Sequence, residues 1–318
     1  MRALITGVTG QDGWYLSELL LDGGAEVFGL VSSGDPGECP PGVAPVVGDL
    51  RDAASLVAAV QTAAPDEVYD LASISSVAAS WADPVGTADV NGMGTARLLA
   101  AIDTVAGSNG GPRLVHASSA EIFGDAAPPQ DEKTPIAPVT PYGAAKAFAH
   151  HCVAVHRGAG HFSANAILFN HESPRRPDTF VTRKITRQVA RIAHGDTAPL
   201  ELGNLAARRD WGFAGDYVRA LIAIARTDEP ADFVIATGHS HSVQDFVRVA
   251  FAHVGIEDWR AHVRADAAAT RRVEAREQRG NAARAAHVLG WTPTTTFEQL
   301  VADMVDTDLS RTTEWSTQ

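Results

Sequence analysis

Cysteine is nearly absent from this chain. Its 318 residues hold only Cys39 and Cys152, too few for a disulfide framework and in no metal-like or redox-like spacing, which suits a reducing cytoplasm. Positive charge is also scarce. Against 38 acidic residues stand 26 lysines and arginines, a formal net charge of −12, and the basic residues form no long run, which argues against a nucleic-acid or anionic-membrane partner. No apolar run approaches the roughly 18 residues of a membrane span, and residues 1–6 lead straight into a strand with no cleavable apolar segment. Histidine is plentiful, but neither His150 with His151 nor His239 with His241 is followed by an acidic or cysteine partner at ligand spacing, so no metal is expected. No internal repeat or low-complexity segment is evident. A globular chain remains, 45% hydrophobic and long enough for one large domain or two closely joined ones.

What is present is an alternation of short apolar runs with helical patterns. Residues 3–6 are followed by Gly7, Gly10 and Gly13, with Gln11 and Asp12 between them, and then by Leu16, Leu19 and Leu20 at helical spacing. Strand, glycine loop and helix in that order allow a tight turn, close approach of backbone to a pyrophosphate, and a diphosphate on the helix N-terminus. A plain tight turn would also use these glycines, but their place at the first strand-to-helix junction favours a dinucleotide site. Residues 26–31 form the second strand, whose end normally reads the adenosine ribose. Val31, Ser32 and Ser33 stand there, with Asp35 beyond, so neither the acidic residue of an NAD site nor the arginine of an NADP site marks the choice. Residues 46–50 give a third strand, where Asp49, beside Leu50, either meets the adenine or caps a helix over 52–63. Residues 67–72, with Leu71 near the end, give a fourth, followed by a loop at 73–80. A long helix begins at Asp83 and Pro84, and its Asn91 is either part of a buried polar network or solvent-facing. The alternation over the first 170 residues predicts an α/β fold, a doubly wound parallel sheet of Rossmann type.

The chemistry concentrates between residues 116 and 146. Residues 113–116 read as a buried strand, so Ser119 and Glu121 fall just past its C-terminal end, where open α/β sheets place ligands. Pro141 suits a first helical position, and Tyr142 and Lys146, four apart, share a helix face. A lysine roughly 6 Å from a phenol would favour the phenolate by about 2 to 3 kcal/mol, on the order of two pKa units, so Tyr142 is expected to act as a base assisted by Lys146. An ordinary amphipathic pair has the same spacing, and the surrounding motifs favour the chemical reading. After a strand over 163–171 come three basic clusters, at 172–177, 181–194 and 203–211, either solvated surface or a diphosphate clamp.

With these motifs in hand, the chain resembles the extended short-chain dehydrogenase/reductase superfamily and, within it, the GDP-mannose 4,6-dehydratase family. Residues 4–13, 168–176, 180–186 and 203–212 are similar to family stretches nearly letter for letter. The resemblance implies Ser119, Glu121, Tyr142 and Lys146 as catalytic residues. It implies NADP or NAD as cofactor, with contacts at Gly7, Gly10, Gln11, Asp12 and Gly13, at Ser32, Asp49, Leu50 and Leu71, and at Tyr142 and Lys146. A nucleotide-diphosphate sugar would be held by Asn170, Glu172, Arg176, Lys184, Arg209 and Arg271. It further implies a Rossmann domain over 1–171 with about 229–256 and a smaller discontinuous domain over 172–228 and 257–318; the shortened loop after the second strand, which in many relatives contributes to a tetramer, leaves a homodimer as the expected assembly. The arginine pair with which many relatives hold the NADP phosphate is missing at Ser32, Ser33 and Gly34, in a shortened loop. The expected reaction is 4,6-dehydration. The alternatives are a nucleotide-sugar 4-epimerase, which needs no Glu121, and a binding protein without turnover, which needs none of the four catalytic residues.

Overall fold

The computed structural model describes residues 1–32, 39–107, 111–266 and 275–311. In chain order, β1 (Arg2–Thr6) leads into α1 (Gln11–Asp22), β2 (Glu26–Val31), β3 (Ala44–Val47), α2 (Ala53–Ala63) and β4 (Glu67–Asp70). Then come α3 (Val77–Ala82), α4 (Pro84–Ala88), α5 (Gly94–Ala106), β5 (Arg113–Ser119) and α6 (Pro141–Gly158). The remainder is β6 (Ser163–Leu168), β7 (Asn170–Glu172), α7 (Val181–Ala193), β8 (Leu200–Leu202), β9 (Arg208–Arg209), β10 (Trp211–Phe213) and α8 (Ala214–Ala225), followed by β11 (Asp232–Ile235), β12 (His241–Ser242) and α9 (Val243–His253). It closes with β13 (Val263–Ala265), β14 (Glu277–Gln278), α10 (Ala283–Leu289) and α11 (Phe297–Arg311).

Seven strands form one parallel sheet in the order β11-β6-β5-β4-β1-β2-β3, the doubly wound arrangement that the alternation predicts. Strands such as β1 and β6 are buried along almost their whole length because helices cover both faces, so they read as continuous apolar runs. Strand order reverses between β1 and β4, and a crevice opens there beyond the carboxyl ends. Among the described residues three core clusters flank the sheet, one including Leu16, Tyr69, Val115 and Leu221, a second Leu56, Leu98, Ile102 and Val153, and a third Ile122, Phe123, Ile167 and Val234.

A further core lies apart from the sheet, where α7, α9 and α11 pack Ile185, Val189, Phe246, Phe251, Leu300 and Met304 together. Arg183 and Asp308 form a buried ion pair within it, joining α7 to α11. This packing divides the chain differently from the sequence expectation in two places. Helix α8 turns Val218, Leu221 and Ile224 into the sheet core, although 172–228 was expected in the smaller domain. Helix α9 belongs with α7 and α11, although 229–256 was expected with the sheet, to which only β11 is added. Hydrophobic spacing shows that a helix has an apolar face, not which core receives it.

Local differences have local causes. The stretch expected as a loop over 73–80 contains α3, capped by Ser76, whose Oγ accepts from the Ala79 amide at 3.1 Å. The long helix past Pro84 carries one π turn, Asp89–Met93. It places Asn91 inside, where the side chain accepts from the Ile74 amide at 2.7 Å and donates to the Ile74 carbonyl at 3.0 Å. Asp52, not Asp49, caps α2. Among the described residues no helix is long and apolar enough to cross a membrane.

Candidate active site

A cleft of about 540 Å³ opens at the reversal point, running from the glycine loop past the ends of β4 and β5 to Arg209, Trp211 and Gln278. On its first wall Gly7 has φ +70°, and a Cβ there would lie 2.8 Å from the Ala72 backbone; one on Gly13 would lie 2.5 Å from Gly7 O and Val8. Both positions require glycine. Gly10 caps α1 without a side-chain bond, whereas α2, α3, α4, α6 and α9 each have a side-chain cap. The first amides of α1 therefore face the cleft uncapped, a cradle that fits a dinucleotide diphosphate. The loop is held from behind. Asp12 pairs with His171 at 2.8 Å, Gln11 donates to Asp12 at 3.1 Å and to the His171 carbonyl at 3.1 Å, and Ser173 donates to Gln11 at 2.8 Å. Burial disfavours both charges of the pair, yet the attraction prevails: His171 is pushed up and Asp12 is held below the usual carboxylate range.

At the end of β5 the chain enters a 3-10 turn, Ala120–Phe123, with Ser119 Oγ accepting from the Glu121 amide at 3.3 Å. Thr140 caps α6, its Oγ1 accepting from the Gly143 amide at 3.0 Å, and Pro141 stands in the first turn. Tyr142 and Lys146 follow on the inner face, 8% and 2% exposed. The Glu121 carboxylate receives Gln278 Nε2 at 3.2 Å on one oxygen and Thr140 Oγ1 at 3.4 Å on the other. Ser119, Glu121, Tyr142 and Lys146 thus meet at one cleft wall.

The electrostatics differ from the expectation of a cation that acidifies the phenol. Burial pushes the Tyr142 phenol up from its ordinary value; the hydroxyls of Ser119 and Ser73 work against this, while the charge of Glu121 adds to it. Lys146 turns to the sheet, donating to the Ala117 carbonyl at 2.8 Å. Burial lowers its ammonium to about 8, opposed by Asp70 and then Asp12. Asp70 is fully buried, yet it accepts from Thr6 at 2.9 Å and Thr95 at 2.8 Å and faces His116 Nδ1 at 2.7 Å, contacts that with the charge of Lys146 hold it below the carboxylate range. Burial, reinforced by Lys146, lowers His116, so the neutral ring donates to Asp70 and the charged pair is Asp70 with Lys146.

A pH prediction follows. Any step that needs the Lys146 charge should weaken as pH rises through about 8, and Asp70→Asn, which removes the carboxylate favouring the charged form, should move that alkaline limb to lower pH. A rate profile for the variant that superimposes on wild type would exclude this role for Asp70. For stability the sign is opposite. Between about 8 and 10.5 the unfolded chain binds the proton that the folded chain has lost, so this lysine favours the fold increasingly as pH rises through that window.

On the far wall, Arg176 stacks on the Phe180 ring at 3.7 Å and pairs with Glu172 at 3.1 Å, and Glu172 accepts from Thr182 at 2.6 Å. Arg209 donates to the carbonyls of Arg208 and Ala275 at 2.8 and 3.0 Å. Asn170, Glu172, Arg176 and Arg209 all line the cleft, as do Gly7, Gly10, Gln11, Asp12, Gly13 and Leu71. The structure does not bring in the others. Ser32 is exposed at the end of β2, Asp49 pairs with Arg51 at 2.8 Å, and Leu50 packs in the core between α2 and α5. Lys184 is exposed, because α7 turns Val181 and Thr182 to the cleft and the helical phase then carries position 184 outward. Arg271 lies outside the described residues. Sequence reasoning missed Asp70, His116, Thr140 and Gln278; an Asp at the end of one strand and a His on the next were the available signal for the first two. Asp103, His156 and His161 approach ligand spacing, but the two rings stack 4.0 Å apart at 16°, so their lone pairs run parallel and do not converge on one ion.

The sequence profile of the GDP-mannose 4,6 dehydratase family matches residues 4–304. The chain is 45% identical to GDP-mannose 4,6 dehydratase 1 of Arabidopsis thaliana, over 96% of this chain and 89% of that protein. It is 42% identical to the GDP-mannose 4,6 dehydratase of Homo sapiens, over 98% and 92%. Among solved structures, the UDP-glucose 4-epimerase of Thermus thermophilus in complex with NAD superimposes with a TM-score of 0.85 at 26% identity, covering 97% of this chain and 99% of that one.

Proposed function

Because this chain belongs to the GDP-mannose 4,6-dehydratase family, we propose that its cleft converts a GDP-mannose-like nucleotide sugar into the 4-keto-6-deoxy sugar. The enzyme is a lyase of the extended short-chain dehydrogenase/reductase type. The observation that carries this reading is the Glu121 carboxylate, held by Thr140 and Gln278 at the wall that also carries Ser119 and Tyr142. A nicotinamide cofactor held by Gly7, Gly10, Gly13 and the first amides of α1 would supply reversible hydride transfer with the sugar. Tyr142 removes the 4-hydroxyl proton while Ser119 hydrogen-bonds O4, and Lys146 supports the site with its charge. The 4-ketone acidifies C5–H; Glu121 takes that proton and assists departure of the 6-hydroxyl as water. Arg176 and Arg209, already fixed by their partners, suit the diphosphate of the sugar nucleotide. The sheet unit would hold the cofactor and the α7, α9 and α11 unit most of the sugar nucleotide. Mass spectrometry of products from a panel of nucleotide sugars tests the reading. Loss of one water supports it, unchanged mass with altered retention would replace it with a 4-epimerase, and bound cofactor without reaction would leave a binding protein.

For the cofactor we infer weak discrimination, since Ser32 supplies neither the acidic group that selects NAD nor the arginine that selects NADP. Dissociation constants for the two differing by more than about 1000-fold, roughly 4 kcal/mol, would contradict this. The scarcity of cysteine fits a cytoplasmic enzyme. We also infer a homodimer built on α6. Phe148 and Val155, seven residues apart on α6, are 46% and 73% exposed, and Val85 and Met93 nearby are 78% and 44% exposed, an apolar strip suited to a second copy. Sedimentation should show a dimer for wild type and a monomer for Phe148→Glu with Val155→Glu; a wild-type monomer, or a dimer in the double variant, would remove the strip from consideration.

A further inference from the structure

Gln278 stands 157 residues from Glu121, yet its Nε2 donates to Glu121 Oε1 at 3.2 Å. It is 2% exposed and lines the cleft. The backbone on either side is pinned. Asp210 donates its amide to the Gln278 carbonyl at 2.9 Å, Arg279 donates to Gln130 Oε1 at 3.0 Å and receives the Gln130 amide at 2.9 Å, and the Gly280 amide reaches the Asp210 carboxylate at 3.2 Å. In register Gln278 lies beside Arg209, so the strand pair that presents a substrate-side cation also presents this amide to the carboxylate.

We propose that Gln278 is a positioning residue for Glu121, fixing its carboxylate for transfer of the C5 proton to the departing 6-hydroxyl; this rests on the dehydratase reading above. During such a transfer the carboxylate gains a proton from C5 and loses it to O6, so whatever holds it must hold both states. A lysine or arginine would favour only the ionised one. An amide is neutral and offers both a donor and an acceptor, so it can orient carboxylate and carboxylic acid alike. The Thr140 hydroxyl has the same double capacity and stands at 3.4 Å on the other oxygen. Tyr142 and Lys146 make no contact with Gln278 among their hydrogen bonds given above, so the inference separates the two halves of the reaction: Gln278 serves loss of water and not oxidation at C4.

The test is rapid mixing of holoenzyme with a nucleotide sugar that wild type dehydrates, comparing wild type with Gln278→Met, which keeps the side-chain length without a donor, and with Gln278→Glu, which sets an acid against an acid. Reduced-cofactor absorbance follows oxidation at C4, and solvent deuterium at C5 with product mass follows dehydration. For Gln278→Met the first rate should stay within about twofold while the second falls by about 10- to 100-fold, with reduced cofactor accumulating and KM little changed. Gln278→Glu should stall at the same stage. Equal losses in both half-reactions would make Gln278 merely structural, and a raised KM with unchanged dehydration would make it a substrate contact; either overturns the proposal, as does wild-type behaviour in both variants. If wild type releases no water from any sugar nucleotide, the dehydratase reading itself fails and this inference with it, a result distinguishable because the variants play no part in it.

Discussion

Replacing Tyr142 by Phe is expected to lower turnover by up to about 10⁴-fold while leaving cofactor affinity nearly unchanged. The phenyl ring fills the same volume at the start of α6, where the side chain is 8% exposed, so the fold loses no packing. The glycine loop, the uncapped first turn of α1 and Lys146 all remain. What disappears is the one oxygen able to take the 4-hydroxyl proton beside Ser119. Burial raises the proton affinity of this phenol, and the nearby hydroxyls of Ser119 and Ser73 work against that rise in favour of the ionised form. Near-normal activity in Tyr142→Phe would remove this residue from the mechanism. Cofactor affinity measured by fluorescence titration separates loss of chemistry from loss of binding.

The second large effect belongs to Glu121, because it alone divides dehydratase from epimerase. Glu121→Gln keeps size and hydrogen-bonding capacity at the cleft wall but cannot accept the C5 proton. Oxidation at C4, which needs Tyr142, Lys146 and the cofactor, should proceed. The variant should then stall, with a rise in near-ultraviolet absorbance of reduced cofactor, no dehydrated product, and little solvent deuterium at C5. Product formation should fall by about 10²- to 10⁴-fold. Full turnover by the variant, or wild-type product free of deuterium at C5 after reaction in heavy water, would displace the assigned role and bring the 4-epimerase reading forward. Comparison with Gln278→Met is informative: losing the base should arrest the reaction where misplacing it only slows the same step.

Several features were legible in the residue order because they are local. The glycines at 7, 10 and 13, a short strand before them and an amphipathic helix after them define a turn that needs no distant contact. Four-residue spacing placed Tyr142 and Lys146 on one helix face, Pro141 marked that helix's start, and the short apolar runs required a sheet covered on both sides. Tertiary structure alone decided what those groups meet. The direction of the Lys146 ammonium depends on Ala117 and Asp70, on strands remote in sequence, and its burial opposes the charge that spacing alone would assign to it. Lys184 is in a matching stretch, yet the phase of α7 against its own core turns it to solvent. Gln278 reaches Glu121 only because β14 pairs with β9 and so sets this side chain beside Arg209, facing Glu121. Periodicity records which face of an element is apolar; the partner of a buried charge is set by how separate elements stack, and burial then determines how strongly that charge holds or yields its proton.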